Sequence, residues 1–169
     1  VALNRSKNTD DFDWSIEHLN KELDLTLELG AFGYLDKLYL HEPNRIGLPA
    51  EVLEKWVHAV KSKGIINSFG IAGKFSTVIN DVHNYSSFID DLQFEDCLYN
   101  PLKLNGVIKE KFTSSYGYIR NARSVSPSTS AVEIMQTALR CHPDRRILFS
   151  TSSHSNLESI VQAATGAVM

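Results

Sequence analysis

The feature that most constrains this chain is a switch of period that repeats along it. Short apolar runs recur at residues 34–40, 65–71, 91–98, 117–120 and 146–151. Between and around them lie stretches in which apolar residues return every three or four positions: 14–29, 49–63, 75–85, 103–112, 128–141 and 155–164. The first kind reads as buried strand and the second as amphipathic helix. Residues 49–63 are the clearest helix, with Pro49 in the first turn, one apolar face of Val52, Leu53, Trp56, Val57 and Val60, and Gly64 as the stop. Asp13 is placed to cap the helix at 14–29, and Gly30 and Gly33 end it. The helix over 128–141 turns Ala131, Ile134, Met135, Ala138 and Leu139 inward. Strands alternating with helices of this length predict βαβ units and a parallel sheet. Such folds place their chemistry in the loops at the C-terminal ends of the strands.

Several function classes drop out. No Gly-x-Gly-x-x-Gly or Walker A pattern follows any of the strands, which weighs against a dinucleotide-binding Rossmann domain and a P-loop enzyme. With 17 Lys+Arg against 20 Asp+Glu, the net charge of −3 offers no footprint for nucleic acid or an anionic membrane. No apolar run approaches the ~20 residues that cross a bilayer. Two cysteines, Cys97 and Cys141, cannot build a disulfide framework, and neither has the neighbours of a zinc site, so a reducing cytoplasmic setting is expected. Residues 1–13 are polar and aperiodic and read as a flexible lead-in, with 14–169 as the folded part. The chain starts at Val1 rather than Met, which suggests a piece of something longer.

The order of motifs resembles the aldo-keto reductases. Leu35-Asp36-Lys37-Leu38-Tyr39-Leu40-His41-Glu42-Pro43 looks like the family's "iDlyllHxP" strand and loop. Lys63-Gly64-Ile65-Ile66-Asn67-Ser68-Phe69-Gly70-Ile71 looks like "kGkirsiGvS", and Ile89-Asp90-Asp91-Leu92-Gln93-Phe94-Glu95 like "iDvvQvE". Arg146-Ile147-Leu148-Phe149-Ser150-Thr151-Ser152, with Leu157 after it, looks like the closing strand and nucleotide-phosphate loop. The resemblance implies a partial (β/α)8 barrel of aldo-keto reductase type, an α/β fold with about five of its eight parallel strands. The part matched is the later one, from the helix before the fourth strand to the eighth. The family's catalytic Asp, Tyr and Lys come from earlier strands and have no counterpart here.

By this resemblance His41 matches the active-site His beside the substrate carbonyl, where an imidazole can donate to a developing alkoxide. Read alone it is more often a loop histidine bonded to backbone. Gln93 matches the Gln near the nicotinamide, whose amide can pair with the carboxamide, or is a strand-end Gln bonded to its neighbours. Arg120 falls where the family packs an aromatic or Arg against the ring, or is a solvated Arg. Ser150, Thr151, Ser153 and Asn156 supply neutral groups for a phosphate at the start of the last helix.

Two departures stand out. Ala72-Gly73 replaces the family's carboxamide-binding Ser-Asn pair, and the last loop lacks the Arg that grips a 2′-phosphate. NADP or NAD is thus the implied cofactor, with no built-in preference for NADP. Glu95 and Asp96, adjacent on a strand, should face opposite ways and not form a carboxylate pair.

The function implied is NAD(P)H-dependent carbonyl reduction by an oxidoreductase, with this chain incomplete and inactive alone. The alternative is a non-catalytic partial barrel used for binding or assembly. Open strand edges call for a homo-oligomer or for the missing N-terminal part.

Overall fold

The computed structural model describes residues 2–3, 15–42, 48–103 and 106–167. The element order is β1 (Ala2–Leu3), α1 (Ile16–Gly30), β2 (Leu35–His41), α2 (Ala50–Ser62), β3 (Ile66–Gly73), α3 (Phe75–Tyr85), β4 (Asp91–Glu95), α4 (Gly106–Lys111), β5 (Phe112–Tyr116), α5 (Tyr118–Val125), α6 (Ala131–Cys141), β6 (Arg146–Ile147) and α7 (His154–Ala167). The chain divides into two compact units, 1–92 and 93–169, with β4 crossing the boundary. This is the expected βα alternation, and β1 with β2, β2 with β3, and β5 with β6 pair in parallel.

In the first unit β2 pairs with β1 on one side and with β3 on the other. The register sets Tyr39 opposite Gly70 and His41 opposite Ala72. Alternation along β2 sends Leu38 and Leu40, both fully buried, to one face and Lys37, Tyr39 and His41 to the other. The core is aromatic: Trp56 meets Phe69 edge-on at 6.3 Å, and Phe69 stacks on Phe88 at 6.2 Å. Trp56 Nε1 donates to Asn20 Oδ1 at 2.8 Å, tying α2 to α1. Asp90 accepts from the Phe69 backbone N–H at 2.8 Å and pairs with Lys61.

In the second unit β5 pairs with β6, and Tyr118, Ala122, Ile134 and Ala138 form a buried cluster between α5 and α6. Phe94 lies 5.3 Å from Phe112, and the Arg145 guanidinium sits 4.2 Å over the Phe112 ring.

Several boundaries differ from the sequence reading. The cap of α1 is Ser15, whose side chain accepts from His18 N at 3.1 Å, rather than Asp13. Pro49 is the residue before α2 and makes no side-chain cap bond. The strand expected at 117–120 is instead a helix start. Gly117, at φ +88, ends β5 at Tyr116, and the buried pair Tyr118 and Ala122, four apart, marks α5. The strand expected over 146–151 is only Arg146–Ile147. Of the lead-in, Ala2 and Leu3 form a short strand opposite Tyr39 and Leu40. Trp14, the first residue of the helix expected at 14–29, lies outside the described residues.

Candidate functional site

In the first unit the candidate site is built at the C-terminal ends of β2 and β3. His41 is the last residue of β2, half-buried, opposite the fully buried Ala72. Glu42 follows at φ +52, a left-handed backbone that non-glycine residues seldom take. Its N–H donates to Ala72 O at 2.7 Å, which holds that turn. Gly73 is at φ +154, and a Cβ there would stand 2.9 Å from Glu42 Cγ and 3.0 Å from Val78 Cγ1. A glycine is therefore required on both counts.

Deeper along the same face lies a polar cluster that sequence reasoning missed. The Tyr39 hydroxyl donates to Asp91 Oδ2 at 3.0 Å, and Lys37 forms an ion pair with the same buried carboxylate. Gly70 leaves the room: a Cβ at that position would come 2.5 Å from Asp91 O and 2.8 Å from the Tyr39 ring. The available signal was the alternation Lys37, Tyr39, His41 on a strand whose other face is leucine.

In the second unit Gln93 is half-buried on β4, and Glu95, two residues on, shares its face. Arg120 stands in the first turn of α5, past the end of β5, with its side chain 68% exposed and paired with Glu95. Asp96 turns the other way into the core, so the two adjacent acids do separate.

Asp96 is the hub of this unit. Its Oδ1 accepts from Cys97 N at 2.8 Å and Leu102 N at 3.0 Å. Its Oδ2 accepts from the Tyr118 hydroxyl at 3.0 Å and Arg145 Nη1 at 3.1 Å. Asn121 Nδ2 donates to the Asp96 carbonyl at 2.9 Å. Burial, helped by the Asp96 charge, pushes Tyr118 up to about 12, against the pull of Ser115 and Arg145. Burial and the Arg145 charge lower His142, against the attraction of Asp96. This network uses its polar groups on one another and so reads as structural.

The loop before α7 carries Ser150 and Thr151 exposed and Ser153 half-buried, and Asn156 is exposed in the first turn of α7. Ser153 N donates to Thr151 Oγ1 at 3.1 Å, Ser153 and Ser155 hydroxyls are 2.9 Å apart, and Asn156 N reaches Ser153 Oγ at 3.4 Å. His154 pairs with Glu158 at 3.3 Å. Among the described residues no group of three or more His, Cys, Asp or Glu stands ready to hold a metal, and no helix is long and apolar enough to cross a membrane.

No family profile and no curated protein sequence matches this chain. Solved structures do. A candidate aldo-keto reductase of Pseudomonas aeruginosa superposes with a TM-score of 0.64 at 18% identity, covering 94% of this chain and 61% of its own. An aldo-keto reductase of Bacillus halodurans matches in its apo form with a TM-score of 0.64 at 16% identity, over 88% of this chain and 62% of its own. Its holo form matches with a TM-score of 0.60 at 15% identity. The fold is thus that of part of the aldo-keto reductase barrel, and the chain spans about three-fifths of the length of these structures.

Proposed function

We propose that this chain is the C-terminal portion of an aldo-keto reductase-type oxidoreductase that exchanges reducing equivalents between NAD(P)H and a small carbonyl compound. The observation that carries the reading is His41, last residue of a parallel strand in a fold shared with aldo-keto reductases over 94% of this chain. An imidazole at a strand's C-terminal end can donate to a carbonyl oxygen as it gains charge. When bound, the nicotinamide nucleotide supplies or accepts the hydride.

The residues present fit such a nucleotide in part. Gln93 offers an amide for the carboxamide, and the hydroxyls and N–H groups of residues 150–156 can hold a phosphate at the start of α7. Arg120 is engaged by Glu95, so its guanidinium serves ring packing only if that pair opens. Residues 150–156 contain no Lys or Arg, which leaves a 2′-phosphate without a charge-assisted partner. Ala72 and Gly73 supply no side-chain hydrogen bond.

The proton donor, by this reading, stands on strands outside this sequence, and the open barrel is completed by that part of the protein or by a second copy of the chain. The setting is the cytoplasm, with neither nucleic acid nor membrane as partner. Calorimetric titration of the chain with NADH and NADPH tests the reading. Weak binding of both within a few-fold is expected; no binding at millimolar nucleotide, or tight NADPH-selective binding, contradicts it.

A further inference from the structure

We propose that Glu42 is a specificity-determining residue, selecting a positively charged, N–H-donating ligand group at the ends of β2 and β3. Resting on the nicotinamide reading above, this means that the site prefers the oxidised nucleotide to the reduced one.

The argument starts from the backbone. Glu42 takes φ +52, a conformation that side-chain-bearing residues hold only where their surroundings over-determine it. The constraint is visible: the Glu42 N–H donates to Ala72 O at 2.7 Å. An Asn or Gly would sit there more easily, so the side chain needs another reason to be glutamate.

The side chain is placed as deliberately as the backbone. Its Cγ occupies the space beside Gly73, where any Cβ would come within 2.9 Å. The bare residue at the end of β3 and the glutamate at the end of β2 are thus two halves of one arrangement. A residue with a side chain at 73 would displace Glu42, and Glu42 excludes such a residue.

Charge completes the case. Lys61 and Lys37 neutralise Asp90 and Asp91, and in the second unit Arg120 and Arg145 neutralise Glu95 and Asp96. The half-buried Glu42 carboxylate has no hydrogen-bond or ion-pair partner among the described residues. Its neighbours Ala72 and Gly73 add no polar side-chain group. At the strand ends Glu42 therefore presents a carboxylate that none of the described residues pairs with. A carboxylate so placed attracts cations and N–H donors and repels carboxylates and phosphates.

The nicotinamide ring is a cationic pyridinium when oxidised and neutral when reduced, while its carboxamide N–H2 donates in both states. The hydrogen bond alone would not discriminate. The Coulomb attraction does, and only toward the oxidised form.

The test is calorimetric titration of the 169-residue chain with NAD+ and NADH at low ionic strength, for wild type, Glu42→Gln and Glu42→Gly, with circular dichroism confirming that each is folded. Wild type should bind NAD+ roughly three- to tenfold more tightly than NADH, the scale of a partly screened charge pair. Both variants should lose most of that preference through weaker NAD+ binding. Added salt should erode the wild-type preference and leave Glu42→Gln unmoved. The glycine variant relieves the left-handed backbone, so its loss of preference cannot be ascribed to unfolding. Equal affinity for both forms in wild type, or an unchanged ratio in Glu42→Gln, overturns the role of Glu42 while nucleotide binding stands. Failure of both nucleotides to bind at millimolar concentration overturns the nicotinamide reading itself.

Discussion

The two units solve the same problem with different materials. The first, 1–92, surrounds a strand pair with leucines and a Trp56–Phe69–Phe88 aromatic run, and its Asp90 and Asp91 each pair with a lysine. The second, 93–169, has shorter strands and hangs several segments on the single carboxylate of Asp96. A core of apolar area degrades gradually when trimmed, since each methylene carries its own share. A buried charge with several donors does not, because removing it orphans every donor at once.

The largest effect should therefore come from Asp96→Ala. It strands Arg145, the Tyr118 hydroxyl and two backbone N–H groups, a loss on the order of 3–5 kcal/mol. Urea unfolding should show it, with Asp96→Asn milder because an amide oxygen still accepts; a loss near 1 kcal/mol or less would break the contrast between the units. In the first unit Phe69→Leu keeps most of the buried area and should cost only ~1–2 kcal/mol by the same measurement.

The second unit should also respond to pH at both ends of the scale. Tyr118 is raised to about 12 in the fold against an ordinary 10, so the unfolded chain releases this proton first. Its contribution is whole below pH 10 and is lost as pH climbs toward about 12. His142 is lowered, so the unfolded chain takes up its proton first, and that contribution is lost as pH falls below the ordinary 6.5. Tyr118→Phe should flatten the alkaline limb and His142→Gln the acidic one, read by denaturant midpoints across pH. The smallest effects should be in helix caps: Ser130→Ala, which removes the acceptor for Glu133 N, and Ser15→Ala each cost ~1 kcal/mol in thermal melts.

The contrast also explains what the sequence revealed. The elements of the first unit were legible because burial follows period: Leu53, Trp56, Val57 and Val60 face inward, and the strand residues Leu38 and Leu40 do likewise. The second unit misled at 117–120. Tyr116, Tyr118 and Ile119 look like strand, yet the decision belongs to Gly117, whose positive φ the letters do not announce. His41 was legible from its place at a strand end. Glu42 was not, since its left-handed turn and its fit beside Gly73 exist only once β2 and β3 are paired. Asp96 was read only as facing away from Glu95, because its partners lie up to 49 residues distant.

That separation carries a consequence in time. During synthesis Asp96 leaves the ribosome before Tyr118, and Arg145 follows 49 residues after Asp96. At about 5–20 residues per second the acid waits roughly 2–10 seconds for its guanidinium. Through that interval the nascent second unit holds a charge destined for burial and nothing to bury it against. In the first unit the order is reversed: the buried Asp91 emerges 52 residues after Tyr39, so its partners are already made when it arrives. Translation thus orders the two: the buried acid of the first unit emerges after its partners, and that of the second before them.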